Sequence, residues 1–449
     1  MRKKRFSFST TQLILLSFLL AIFVGSILLY LPISSKTGKA VSYIDALFTS
    51  ATSVCVTGLV TVPTFSTWSF FGQLVILVLI QVGGLGIITI MSMLMILLHR
   101  KIGIGDRLLI QDAFNLNSLS GLVIFVKKVV VGTFIVEGIG ALCYMAVFVP
   151  EYGVKGIWIS IFNSVSAFCN AGIDIIAEDS LCGYAANPII NIVTCALIIL
   201  GGIGFIVWWD VLGVLKNKKK NRLRRLSLHS KIALSMTAFL IVSGAILFFA
   251  FEYNNPCTIG QYSFVDKLQI SVFQSVTTRT AGFATIPQQN MTDASSIVSL
   301  LLMFIGGSPV GTAGGVKTVT IAILFATAVS AVKNRNEVNC YNRNISRHSI
   351  MKAIGVLGMS FITVFISTVL LSLISNAEIL DVLYETVSAT ATVGLTRNLT
   401  ATLNTLGKII IIITMYLGRV GPISLAVAFG IKKKSENIIK NPTEEISVG

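Results

Sequence analysis

The sequence predicts an all-α integral membrane protein. Four pseudo-symmetric helix–pore-helix–filter-loop–helix repeats surround one central pore, giving eight spans and four re-entrant pore loops. Three observations carry this expectation. First, 54% of the 449 residues are hydrophobic and only 12% are charged, against about 25% charged in a typical soluble domain. Second, the stretches 6–35, 70–98, 187–209, 232–251, 295–316 and 353–376 contain no charged residue. Each reaches the roughly 20 residues a helix needs to cross the hydrocarbon core. Third, four short segments look alike: Val56-Thr57-Gly58-Leu59, Asn170-Ala171-Gly172-Ile173, Thr280-Ala281-Gly282-Phe283 and Thr392-Val393-Gly394-Leu395. Their glycines stand 114, 110 and 112 residues apart, a period steady enough to mark an internal repeat.

The first repeat, with a cytoplasmic N-terminus and an inner linker, covers residues 1–118. Its first span lies in the 6–35 stretch, which is too long for a cleavable signal and begins a series of spans. A pore helix follows near 43–54, then the Gly58 loop, then a second span within 70–98. The second repeat, 119–228, has its pore helix near 155–168, ahead of Gly172. The third, 229–347, places one near 264–277, ahead of Gly282. The fourth, 348–449, places one near 378–391, ahead of Gly394, and runs into a cytoplasmic C-terminal tail. Helices this short cannot cross a bilayer, so each loop must return to its starting side. Asp45, Asp266 and Asp381 stand in first turns, where an acid suits the positive end of the helix dipole. The partly negative ends then aim at the membrane centre, where a cation needs help. The second repeat has Lys155-Gly156 there instead, so the repeat is degenerate.

A net charge of +16 could suggest nucleic acid, but its distribution indicates topology and no nucleic-acid partner. Of 35 Lys and Arg, 26 fall in the clusters 2–5, 100–128, 216–231, 333–352 and 432–440, which alternate with the glycine segments. The positive-inside rule puts these clusters and both termini in the cytoplasm. The expected location is the cell membrane, multi-pass, in contact with lipid. The outer side then carries 11 Asp and Glu against 7 Lys and Arg, a mildly acidic vestibule that would concentrate cations. Seven cysteines without C-x-x-C spacing indicate neither a metal site nor a disulfide framework. Cys182 and Cys257, in predicted outer loops, are the two candidates for a pair, though no spacing requires it. His99, His229 and His348 sit at predicted cytoplasmic span ends with no metal-ligand spacing.

A pore must replace a cation's water shell with oxygens, because a bare cation in hydrocarbon is prohibitively costly. Backbone carbonyls do this where glycine lets the chain aim them inward, and irregular backbone at membrane depth survives only when buried or lining a wet cavity. Four X-Gly loops would ring one axis as a selectivity filter. The candidate filter residues are Val56, Thr57 and Gly58; Asn170, Ala171 and Gly172; Thr280, Ala281 and Gly282; and Thr392, Val393 and Gly394. A second repeating element lies 24 to 32 residues after each glycine: Gly83-Gly84-Leu85-Gly86, Gly201-Gly202-Ile203-Gly204, Gly306-Gly307 and Gly418-Arg419-Val420-Gly421. Close helix packing at small residues explains such a pattern. A dinucleotide fingerprint does not, since no soluble strand or following acid accompanies it.

These residues resemble the superfamily of Ktr, Trk and HKT potassium transporters, most nearly the Ktr-type membrane subunit. The likeness runs from Leu31-Pro32-Ile33-Ser34 through Gln81-Val82-Gly83-Gly84-Leu85-Gly86 and Arg279-Thr280-Ala281-Gly282-Phe283 to Gly418-Arg419-Val420-Gly421-Pro422. It implies a dimeric, potassium-translocating subunit gated by a cytosolic ring of nucleotide-binding (RCK-type) regulatory subunits. It also matches glycines 58, 172, 282 and 394 to the family's filter glycines. Only the fourth unit nears the T-V-G-Y-G pattern of potassium channels, so fewer carbonyl layers are expected, with weaker K⁺ over Na⁺ discrimination.

The stretch Gly306-Gly307-Ser308-Pro309-Val310-Gly311-Thr312-Ala313-Gly314-Gly315-Val316-Lys317 cannot propagate a helix. The break falls inside the membrane just below the filter. It is read as a flexible gate, a reading the resemblance supports, with Gly306, Gly307, Ser308, Gly311, Gly314, Gly315, Lys317 and Arg419 as its residues. A charge in an apolar span costs at least about 2.5–3.5 kcal/mol, so Arg419 is expected to bond carbonyls of the broken segment and oppose cation passage when the gate is shut. Lys317 is expected to snorkel to cytosolic water. Glu137 is expected to pair with a buried amide or an Arg. The chain is not expected to be an enzyme or to hold a cofactor; K⁺ is the transported ion and Na⁺ a candidate activator. The alternative is a sodium-coupled secondary transporter with a broken-helix substrate site.

Overall fold

A computed structural model describes residues 9–98, 103–113, 121–216, 225–335 and 337–421. The first and last basic clusters, most of the 216–231 cluster, His99 and Pro422 fall outside these residues.

Seventeen α-helices follow one another among the described residues. The first unit of sequence forms α1 (Thr10–Tyr30), α2 (Tyr43–Cys55), α3 (Thr64–Thr67), α4 (Phe70–Leu85), α5 (Ile87–Leu97) and α6 (Ile104–Ala113). Next come α7 (Leu122–Tyr152), α8 (Val154–Cys169), α9 (Pro188–Gly202) and α10 (Phe205–Lys216). The third stretch contributes α11 (Leu228–Glu252), α12 (Phe264–Thr277), α13 (Asp293–Phe304) and α14 (Thr318–Val332). A small hairpin, β1 (Asn339–Cys340) with β2 (Arg343–Asn344), leads into α15 (Arg347–Ser372), α16 (Ile379–Ala391) and α17 (Thr405–Val420).

Local chemistry sets these limits. Ser9 caps α1 through a capping box with Gln12, and Ser69, Ser227, Ser263, Thr292, Ser346 and Asn404 each accept a backbone N–H at the start of their helices. Such a cap is worth about 1 kcal/mol. With 21 residues, α1 is about 31 Å long, the thickness of a hydrocarbon core. α1, α11 and α15 have the length and hydropathy to cross a membrane singly. Their outward faces are apolar: Leu20, Phe239, Ile246, Phe361 and Phe365 are all exposed. The polar residues are inside. Ser50, Thr52, Ser53, Ser164, Ser166, Ser275, Ser388 and Thr386 are buried on the short helices. This is the reverse of a soluble protein, and it follows from a solvent that cannot satisfy polar groups.

The short helices α2, α8, α12 and α16 have 13, 16, 14 and 13 residues and lie within one or two residues of the expected positions. Asp45, Asp266 and Asp381 occupy first turns, and α8 has no acid there.

The expected break of 306–317 separates α13 from α14. Two further breaks were not anticipated: α4 and α5 meet at 94°, and α9 and α10 at 98°. Gly86 and Gly204 sit at these bends with φ of +82° and +93°. The second glycine-rich element is also a packing device. A Cβ on Gly83, Gly201 or Gly418 would fall 2.1 Å from Val54 O, 1.9 Å from Phe168 O or 2.0 Å from Thr390 O. Only glycine lets each helix ride against the last turn of a short helix.

Packing between units closes on itself. α4 lies on α8, α9 on α12, α13 on α16 and α17 on α2. Within units, α1 packs on α2, α7 on α8, α11 on α12 and α15 on α16.

Candidate functional site

The four glycine segments meet at the centre of this closed packing. A Cβ on Gly58 would stand 2.4 Å from Ala171 O; on Gly172, 2.4 Å from Ala281 O; on Gly282, 2.5 Å from Val393 O; and on Gly394, 2.3 Å from Thr57 O. Each glycine therefore faces the carbonyl that precedes the next unit's glycine, and the contacts run head to tail round a ring. No side chain fits at any of the four.

The backbone repeats as well. Val56, Asn170, Thr280 and Thr392 have φ of +54°, +60°, +65° and +52°, and the glycines two residues later have φ of +97°, +63°, +83° and +96°. In each strand a residue without positive φ thus stands between two that have it. Three of the four leading residues are β-branched, for which positive φ is a true outlier. Such strain costs on the order of 1–3 kcal/mol per residue and persists where surrounding structure enforces it.

Enforcement comes from the short helices. Gly58 N donates to Thr52 Oγ1 and Gly394 N to Ser388 Oγ, each at 3.0 Å, while Ile173 N donates to Ser166 Oγ at 3.1 Å. In the third segment Thr277 Oγ1 donates instead to Phe283 O at 2.6 Å. Thr57 N, Ala171 N and Val393 N bond Thr52 O, Ser166 O and Ser388 O at 2.8–2.9 Å. The α2, α8 and α16 helices end in these left-handed residues, with their partly negative ends toward the ring. Thr57 Oγ1, Thr280 Oγ1, Thr392 Oγ1 and Asn170 Nδ2 are buried without a hydrogen-bond partner among the described residues. A ring of carbonyls with three such spare hydroxyl oxygens suits a dehydrating cation.

Beneath the ring, the 306–317 segment is held in place by backbone bonds. Ser308 N and Thr312 N donate to Gly202 O and Gly201 O at 2.8 and 3.1 Å, and Phe205 N donates to Val310 O at 2.9 Å. Gly306 N bonds Val316 O at 3.0 Å. Ser308 Oγ and Thr318 Oγ1 lie 3.0 Å apart. A Cβ on Gly307 would meet Ala313 at 2.5 Å, and one on Gly311 would meet Gly201 O at 2.8 Å. Gly314 packs on the Thr392 side chain and Gly315 on Ala391. Thr312 Oγ1 lies 3.1 Å from Phe168 O and 3.2 Å from Asn170 Oδ1, so this segment touches the ring directly.

Arg419, near the end of α17, donates through one nitrogen to Thr312 O at 2.6 Å and through the other to Gly83 O and, at 3.5 Å, to Gly84 O. It thus bonds a carbonyl of the broken segment, as expected, and ties it to the end of α4. Lys317 differs from expectation. Its Nζ turns back to Ala313 O at 2.5 Å and Gly314 O at 3.3 Å, carbonyls of the broken segment four and three residues before it. A cavity of about 830 Å³ opens here, lined by Gly83, Gly84, Gly314, Lys317, Thr390 and Arg419 among others.

At the other end of the short helices, two of the three first-turn acids are paired with a base. Lys408 Nζ lies 2.6 Å from Asp45 Oδ1, and Arg397 Nε 2.6 Å from Asp381 Oδ1. Arg397 also reaches Ser296 Oγ at 2.7 Å. Buried Glu385 accepts from Thr396 Oγ1 at 2.7 Å and from Thr400 Oγ1. Glu137 accepts from the amide of Gln81 at 3.2 Å, as expected. Cys182 and Cys257 are free thiols. The braces at Thr52, Ser166 and Ser388 escaped the sequence reading, although each stands six residues before its glycine. The ion-pair partners Lys408 and Arg397 carried no such periodic signal.

The family model described as TrkH, a cation transport protein, matches residues 3–441. The Ktr system potassium uptake protein B of Bacillus subtilis is 39% identical over 98% of this chain and 97% of its own length. The potassium/sodium uptake protein NtpJ of Enterococcus hirae is 38% identical over 100% of this chain and 99% of its own. The crystal structure of the potassium transporter TrkH from Vibrio parahaemolyticus superposes with a TM-score of 0.76 at 16% identity, covering 96% of this chain and 87% of that one. With its full-length family match, its long relatives and its shared fold, the chain belongs to the TrkH family of cation transport proteins, which are transporters rather than enzymes.

Proposed function

We propose that this chain takes up K⁺ across the cell membrane through the ring of glycines 58, 172, 282 and 394. In this reading the four units, 1–118, 119–228, 229–347 and 348–449, are repeats around a single pathway, with N- and C-termini in the cytoplasm. The carrying observation is the head-to-tail contact of the four glycines with the carbonyls of Thr57, Ala171, Ala281 and Val393. Carbonyls in a closed ring replace hydration water without any net charge, which favours a weakly hydrated monovalent cation over a divalent one. The names of the Bacillus and Enterococcus relatives support K⁺ as the ion and Na⁺ as a second participant.

The 306–317 segment is the gate. Its glycines let it occupy the space under the ring, and Arg419 holds it there while presenting a positive charge to the cavity. The functional unit is a homodimer with a cytosolic nucleotide-binding ring, a reading supported by the resemblance to Ktr-type subunits and by the basic inner clusters.

The test is K⁺ uptake by a potassium-requiring host that expresses the full chain, with Gly282→Ser as the comparison. A Cβ at this position would lie 2.5 Å from Val393 O, on a residue with φ of +83°. Growth at low K⁺ with the native chain and its loss in the variant is the expected outcome. Equal K⁺ uptake by both, at equal protein levels, would remove the ring from the pathway.

A further inference from the structure

Behind the second filter strand lies a polar cluster that the pathway itself does not use. Glu137, midway along α7, is 4% exposed. Its Oε2 accepts from Gln81 Nε2 of α4 at 3.2 Å, and its Oε1 is 3.8 Å from Cys169 Sγ. The same thiol lies 3.6 Å from Gln81 Oε1. The Glu137 main-chain carbonyl accepts from Ser164 Oγ of α8 at 2.6 Å. Three helices from two adjacent units are therefore joined by side chains at one point.

Cys169 is the residue on which these contacts converge. It is the last residue of α8, and the left-handed Asn170 follows it immediately. On the α4 side, a Cβ at Gly84 would fall 2.6 Å from Cys169 Sγ, so the thiol has no room to retreat. The cluster thus sets where α8 stops and where the Asn170-Ala171-Gly172 strand begins. That start point decides the aim of the Ala171 carbonyl, which faces Gly172's neighbour Gly58 in the ring.

Mere filling of this space calls for no carboxylate. An ionisable group inside a membrane segment is expensive, and apolar residues of similar volume generally stabilise at least as well as a buried polar pair. Apolar contact, however, has no direction, whereas a hydrogen bond fixes distance and angle.

We propose that Gln81 and Glu137 act as positioning residues for the second filter strand and set its discrimination between K⁺ and Na⁺. The proposal rests on the reading of Gly172 as a filter glycine. A strand held from behind cannot relax onto the smaller ion, and a strand without that hold accepts both.

The test compares initial K⁺ and Na⁺ uptake rates in a potassium-requiring host expressing the full chain. Glu137→Ala and Gln81→Leu are expected to lower the K⁺/Na⁺ ratio about tenfold, the scale of one lost hydrogen bond. Glu137→Gln keeps an acceptor for Gln81 and is expected to stay within about twofold of the native ratio on the same scale. If Glu137→Ala fails to accumulate as monodisperse protein, Gln81→Leu decides. A native ratio in Gln81→Leu overturns the proposal, as does a Glu137→Gln variant as unselective as Glu137→Ala. Gly172→Ser separates the two readings. No change of ratio in that variant removes the filter itself, whereas a change there with Gln81→Leu unaffected removes only the brace.

Discussion

Arg419→Ala tests the gate most directly. The guanidinium donates to Thr312 O at 2.6 Å and to Gly83 O. Hydrogen bonds from a charged group are worth about 1.5–3 kcal/mol each, so the two together hold the segment by about 3–6 kcal/mol. Against this stands the expense of an arginine within a membrane span, about 2.5–3.5 kcal/mol on insertion scales. The central values, about 4.5 and about 3 kcal/mol, differ by about 1.5 kcal/mol, or about tenfold in the ratio of closed to open gate. Removal of a positive charge from the cavity wall acts in the same direction, because it lifts repulsion of entering cations. Of the two residues whose carbonyls are left behind, Gly83 lines the cavity, where water can reach it, and Thr312 is buried. Initial K⁺ uptake by the variant, measured at equal amounts of monodisperse protein in a potassium-requiring host, should therefore rise by about tenfold. An unchanged or reduced rate would refute the assignment of Arg419 as a latch on the 306–317 segment.

Three further outcomes follow from the packing. Ser388→Ala deprives Gly394 N of its acceptor at 3.0 Å, which should destabilise the fourth strand by about 1–3 kcal/mol and lower the K⁺/Na⁺ uptake ratio. Gly201→Ala places a methyl group 1.9 Å from Phe168 O. The overpacking should cost about 1–3 kcal/mol and appear as a lower melting temperature in detergent. Lys408→Met strands Asp45, whose carboxylate lies 2.6 Å from the Lys408 amine with both side chains largely buried. A loss of about 1–3 kcal/mol is expected, since the pair is intermediate between surface and interior cases, and Asp45→Asn in the same chain should recover part of it.

Much of the helical frame was legible in the sequence because its signals are local. The charge-free stretches announced α1, α11 and α15, and the acids Asp45, Asp266 and Asp381 marked the starts of α2, α12 and α16. The break between α13 and α14 was legible because five glycines and a proline within ten residues exclude a helix on propensity alone. The bends at Gly86 and Gly204 were not. Each closes a cluster of three glycines in a charge-free run, a pattern that close helix packing at small residues also explains. The orientation of Lys317 was misjudged for a related reason. Snorkelling is the general behaviour of a lysine near a span end, and only the folded 306–317 segment reveals carbonyls within its reach.

The amino-acid sequence by itself determined the membrane as solvent, the glycine period, and the short helices that precede each glycine, since composition and spacing are properties of the chain alone. The tertiary structure alone decided which carbonyl each glycine faces, which helix Arg419 latches, and that Glu137 meets Gln81 and Cys169. Those contacts join residues 32 to 337 positions apart in the chain. No local propensity encodes such a pairing, which arises when segments distant in sequence pack together, as the four glycine segments do where no side chain larger than hydrogen fits.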